Sequence, residues 1–300
     1  MSELTWDILM VIYLFLGGLA GGSYIISALV DLFKGEKYKV LSKSAALTSV
    51  VAIIASIVVL LLEIKRFKVQ PLVFLFAYAR FPGSMVSVGT WILTALLAVS
   101  IVSVLLGYLD GNVLLRKVVA VVGLVLGFST TAYTGLLLSY VRGISLWNTP
   151  FLPWTFTISG ILTGLATSLF LIPILAIFFP KAFMEFKELW NQKNQLVEIL
   201  AQSQKYITIL VVVELCLVII ELLGGHSSIL LSGSWISLVF FVYLILGLIA
   251  PLGVSYLVEK FNASGRDGAL VYISLGGYLF ILAGGFLLRY VILTAGQLLH

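Results

Sequence analysis

Eight stretches of about 20 mostly apolar residues, separated by short charged connections, govern what this chain can fold into. In hydrocarbon, water cannot satisfy a free backbone N–H or C=O, so each stretch must close its hydrogen bonds on itself as a helix. A β-barrel would instead show polarity alternating every second residue in segments of about ten, and that pattern is absent. The chain is 61% hydrophobic and only 10% charged, more apolar surface than a water-soluble core can use. The sequence therefore reads as an all-α polytopic membrane protein. Its spans are expected at residues 6–33, 44–64, 85–108, 117–140, 154–179, 205–224, 235–258 and 268–293.

Lysine and arginine set the orientation. With the N-terminus outside, the inner connections hold twelve of them and the outer segments six, which favours both termini on the extracytoplasmic side. Four of the six outer charges crowd into KRFKVQPLVFLFAYARFPGS, residues 65–84, a basic and aromatic loop suited either to a partner or to lipid headgroups. Residues 180–204 are polar and mixed in charge, an expected cytoplasmic amphipathic connection between two four-helix bundles. The expected division is 1–140 for the first bundle, 141–179 for an outer loop plus the fifth span, and 205–300 for the remaining three spans. The net charge of +5 lies in the loops, so it reads as a topology signal and gives no reason to invoke nucleic acid. GGLAGG in the first span, with Gly123/Gly127 and Gly160/Gly164, puts small residues four apart, the spacing that lets helix backbones approach.

Redox ligands are scarce. Cys216 is the sole cysteine, and the two histidines, His226 and His300, fall outside the apolar runs. The sequence thus offers neither the ligands for an iron–sulfur cluster of its own nor those for a bis-histidine haem between spans.

Ionisable groups inside the spans need a reason, since each costs about 2.5–3.5 kcal/mol to insert. Glu214 and Glu221 stand seven apart, hence on one helix face, an arrangement suited to moving protons or cations. Arg289, near the outer end of the last span, either snorkels to the interface or holds an acidic group or a ligand oxygen. In FSTTAYTGLLLSYVRGISLWNTPFLPW, residues 128–154, Tyr133 lies about 10 Å below the end of the fourth span, with Thr130 and Thr134 on its face. Beyond it Arg142, Trp147 and Asn148 form a polar and aromatic cap. A phenol under such a cap can donate to a carbonyl ring in an apolar slot, as a quinone requires. The plainer alternative is that these aromatics line the membrane interface and the threonines bond to their own helix.

Four segments in order, YLFLGGLAGGSY, FPGSMVSVGTWIL, AYTGLLLSY followed by LWNTPFLP, and GGFLLRYVILTAGQ, resemble the NrfD/PsrC-type membrane subunits of molybdenum and iron–sulfur oxidoreductases, polysulfide reductase among them. The resemblance implies a quinone-reactive anchor that takes a menaquinone-type quinone. It implies a ferredoxin-like iron–sulfur partner and a molybdopterin catalytic subunit. The family's quinone tyrosine matches Tyr133, and the acidic residues of the sixth span look like those assigned to proton transfer. Where polysulfide-reductase-type members carry a His and an Asn in the first span, this chain has Leu14 and Val11, with Tyr13 the nearest polar group. The competing class is an ion or small-molecule transporter built on Glu214 and Glu221; a third is a passive anchor that binds no quinone.

Overall fold

The computed structural model describes residues 6–63, 78–109, 112–141, 143–224 and 228–298. Arg142, His226, His300 and residues 65–77 of the basic loop lie outside them. The described chain is helical throughout its long segments: α1 (Ile8–Phe33), α2 (Lys39–Glu63), α3 (Met85–Tyr108), α4 (Val113–Ser139) and α5 (Leu152–Phe178). There follow the short α6 (Met184–Asn191), then α7 (Lys193–Leu223), α8 (Trp235–Ala263) and α9 (Asp267–Leu298). Eight of these are long and apolar enough to cross a membrane.

The ends depart from the expected spans where polar side chains find partners. The sixth span, expected from residue 205, begins at Lys193, because Leu196, Val197, Ile199 and Leu200 are buried and carry the helix out of the lipid. The amphipathic connection shrinks to α6, which buries Phe186 and Leu189 and exposes Met184. Asn112 caps α4 by accepting from Leu114 N–H at 2.9 Å, and Gly35, at φ +64°, turns the chain out of α1.

α1 is the central helix. It packs on α2, α4 and α5, and touches α9; α5 in turn meets α7 and α9. The glycines make this possible. A methyl group on Gly22 would fall 1.9 Å from the Gly160 carbonyl oxygen, and one on Gly21 2.6 Å from that of Gly127. Gly164 lies as close to the Ser23 backbone. Gly21, Gly22, Gly127, Gly160 and Gly164 thus make backbone-to-backbone contacts, a form of packing open to helices that gain nothing from leaving lipid, while Gly17, Gly18 and Gly123 make room for the side chains of Thr134, Arg289 and Tyr24.

Trp6 and Gln297 meet at one face, here termed the termini face. Trp6 N–H donates to Gln297 Oε1 at 3.1 Å, Gln297 Nε2 returns a bond to Trp6 O, and Trp6 stacks on Trp147 at 5.3 Å. At the opposite face ion pairs among the described residues tie helices together, Lys37–Glu198, Lys43–Glu185 and Arg116–Asp31 among them. Lys43 is nearly buried, bonding both Glu185 oxygens and lying 5.0 Å over the Tyr108 ring, so α6 is pinned to α2. The exposed Lys37–Glu198 pair is screened by water and adds little to stability.

Candidate quinone and proton sites

Tyr133 sits on the buried face of α4, 3% exposed, with its ring laid on the bare backbone of Gly89 in α3. A methyl group there would come within 2.0 Å of the phenol carbon Cζ. Gly89 thus sets the depth at which the ring lies. The phenol of Tyr13, from α1, stands beside that of Tyr133, close enough for their hydroxyls to interact. Val11 and Leu14, its neighbours on α1, are buried among apolar groups. Tyr13 is therefore the polar group that α1 presents here.

The other residues of the expected site are dispersed. Thr130 Oγ1 donates to Leu126 O at 2.8 Å and Thr134 Oγ1 to Thr131 O at 2.6 Å, each within its own helix. Their carbon atoms pack on Gly21 and Gly17 instead. Trp147 turns inward. Its indole N–H donates to Ile292 O at 2.8 Å and lies on Gly296, locking the α4–α5 connection under the end of α9. Asn148 is exposed and lines an open groove of about 540 Å³ with Ala132, Leu136, Pro153 and Trp154. Ala132 is about 100° around α4 from Tyr133, so this groove occupies a neighbouring face.

A second polar cluster joins α1, α5, α7, α8 and α9. Arg289 is fully buried. The snorkelling alternative fails because acceptors surround the guanidinium where it stands. Nε donates to Leu14 O at 3.2 Å, and Nη1 to Gly285 O at 2.7 Å and Ser159 Oγ at 3.2 Å. The rings of Phe15 and Phe156 flank it at 5.7 and 5.2 Å, and Gly18 leaves it room: a methyl there would lie 2.5 Å from Nη2. Glu214, 2% exposed, is within electrostatic range of Arg289, and the Ser159 hydroxyl lies beside both. Tyr243 O–H donates to Glu214 Oε1 at 3.0 Å; Oε2 has no hydrogen-bond partner among the described residues.

Two turns nearer the termini face, Glu221 accepts from Thr155 Oγ1 at 3.2 Å. The two carboxyl groups thus share the α5-facing side of α7, as their spacing predicts. Glu221 and Thr149 border a cavity of about 20 Å³, room for one water, and Thr149 Oγ1 has no partner among the described residues. Toward the opposite face buried polar groups continue with Tyr278 and Ser274, whose hydroxyls lie beside each other, and with Gln204 Oε1, which has no partner among the described residues. From Gln204 to Glu221 is seventeen residues of α7, about 25 Å along its axis. A π-helical turn, Leu244–Ile249, follows Tyr243 directly, and Gly247 in it abuts Gly284 of α9. Such turns are common beside functional groups. Sequence reading missed Tyr243, Ser159 and Thr155. A tyrosine, a serine and a threonine inside apolar spans carry no signal until the facing carboxyl groups are placed.

A model of the NrfD polysulphide reductase family matches residues 1–299. The chain belongs to the NrfD family. A curated relative is the C subunit of the polysulfide reductase of Wolinella succinogenes, 29% identical over 189 residues, 56% of this protein and 58% of the relative. This protein thus aligns with rather more than half of that subunit's length. As an NrfD member with eight candidate spans, it is a multi-pass membrane protein.

Proposed function

We propose that this NrfD protein exchanges electrons and protons between a menaquinone-type quinone and the iron–sulfur partner of a respiratory oxidoreductase acting on sulfur compounds. The observation carrying this reading is the buried Tyr13–Tyr133 pair, two phenols side by side in an apolar setting on α1 and α4. The chemistry fits. A phenol O–H donates to a quinone carbonyl, and the second phenol supplies what the first-span His and Asn provide in polysulfide-reductase-type members. The quinone itself supplies the two-electron, two-proton chemistry. Tyr133 orients the ring and holds a proton at its oxygen, while the α1–α4 seam excludes water. In this reading a quinone reaches Tyr133 by displacing α3, which covers the phenol at Gly89 and which α1 meets only in passing. The termini face is the extracytoplasmic side in this reading. The iron–sulfur subunit, bound in turn to a molybdopterin subunit, sits over residues 65–84 and 141–153.

The test is binding. Titrating the purified protein with a hydroxyquinoline- or naphthoquinone-type inhibitor is expected to quench tryptophan fluorescence saturably, with micromolar or tighter affinity. A linear, non-saturating response overturns the quinone reading and leaves a passive anchor.

Glu214, Glu221 and Arg289 belong to a proton route in the same reading. Its support is the run of buried polar groups through α7 and α9. Glu214 Oε2 and Gln204 Oε1 in it have no partner among the described residues, whereas buried polar atoms are normally hydrogen-bonded to protein or water. Glu214→Gln keeps the Tyr243 hydrogen bond but removes the proton-binding carboxyl. The expected result is a protein that assembles but loses proton uptake linked to quinone turnover in liposomes; full uptake would leave Glu214 a packing residue. In a transporter built on the same two carboxyl groups, ion flux would instead proceed without any redox partner or quinone.

A further inference from the structure

At the opposite face a groove of about 570 Å³ separates α1 from α7, with Phe128 of α4 and Ile161 and Leu165 of α5 as its floor. The two helices flanking it are joined only at its mouth among the described residues. There Lys34 Nζ donates to Tyr206 Oη at 3.0 Å, and Tyr38 Oη donates to Gln202 Oε1. Lys34 also stands 5.4 Å from the Tyr206 ring and 5.7 Å from that of Tyr38. The hydrogen bond from Lys34 to Tyr206 holds the Lys34 ammonium above its ordinary range, so it is fully cationic at neutral pH.

Polarity in this groove is segregated along its length. Every polar lining residue, Lys34, Tyr38, Gln202, Ser203 and Tyr206, lies at the helix-end mouth, and the inner end is hydrocarbon only. Measured along α1 from Ile25 to Phe33, it is about 12 Å deep. One leaflet of a bilayer offers roughly half of the ~30 Å hydrocarbon core, so the groove matches a single leaflet in depth. A quinone ring needs hydrogen-bond donors inside the slot that encloses it, whereas a phospholipid needs a cation at the mouth and an apolar channel below.

We infer that this seam is a binding site for one anionic diacyl phospholipid. Its phosphate is held by Lys34 and the Tyr206 hydroxyl, and its acyl chains lie between α1 and α7. The lipid completes the contact that these helices do not make directly.

The experiment is native mass spectrometry of the detergent-purified protein incubated with phosphatidylglycerol or with phosphatidylcholine. Wild type is expected to retain one phosphatidylglycerol, with phosphatidylcholine bound about five-fold more weakly, the worth of one lysine near an anionic surface. Lys34→Gln is expected to erase that preference while leaving some lipid bound. Ile209→Trp, at a position 59% exposed toward the groove, is expected to abolish retention of either lipid. Both replaced side chains are exposed, and an unchanged thermal midpoint checks that the variants fold. Equal retention of the two lipids, no lipid at all, or an isoprenoid quinone in their place would overturn the assignment.

Discussion

Tyr133→Phe is expected to lower quinone-linked turnover by about two orders of magnitude, the loss seen when one preorganised donor is taken from a reacting oxygen. The substitution removes a single oxygen. The ring keeps its seat on Gly89 and its contacts on α1, so the helices around it have no reason to move. A buried hydroxyl contributes about 1 kcal/mol of net stability, too little to unfold the protein. Turnover assayed with a water-soluble quinol analogue should therefore fall while the thermal midpoint and recovery with partner subunits stay at wild-type values. Tyr13→Phe extends the argument. If the two phenols grip the two sides of one ring, each single change lowers turnover and the double change adds little to the worse of them. Wild-type turnover in Tyr133→Phe would strip this tyrosine of its role and turn attention to the open groove beside Asn148.

How far the sequence could lead is visible at particular residues. The eight spans were legible because lipid leaves the backbone one choice and the apolar runs mark where it is made. Glu214 and Glu221 could be set on one face from their spacing alone, and the glycine pairs identified the close helix contacts before any partner was known. Arg289 was ambiguous for the opposite reason. Its acceptors, Leu14 O and Ser159 Oγ, come from helices 275 and 130 residues away, and nothing local reports them. Trp147 looks like an interfacial aromatic until α9 is placed above it, where Gly296 gives the indole its berth. Thr130 and Thr134 follow the rule that a threonine in a helix satisfies its hydroxyl on the preceding turn. The length of α7 exceeds the expected span because the polar residues at 193–204 read as part of a separate amphipathic connection, while their apolar neighbours bury against the bundle.

The largest effect on stability is expected at Arg289. Its guanidinium lies among aromatic rings and helix carbonyls, one residue along α1 from Tyr13, and its charge faces the carboxyl of Glu214. Removing one member of a buried charged pair typically costs 3–5 kcal/mol, since the remaining group is left without compensation in a low-dielectric setting. Arg289→Met nearly conserves length and apolar volume, so its cost reports chiefly on charge and hydrogen bonding. The thermal midpoint in detergent should drop steeply, with poor accumulation in the membrane. Glu214→Gln should be milder, since an amide still accepts from Tyr243 and the guanidinium keeps its bonds to Leu14 O, Gly285 O and Ser159 Oγ. The decisive quantity is the double variant. If Arg289 and Glu214 stabilise each other, the pair of changes costs less than the sum of the singles by about 1–3 kcal/mol. Strict additivity would mean that Arg289 serves only as a brace between the carbonyls of α1 and α9. A coupled pair would instead connect the α1 segment carrying Tyr13 to the carboxyl of α7, so that a change of charge at one site is felt at the other.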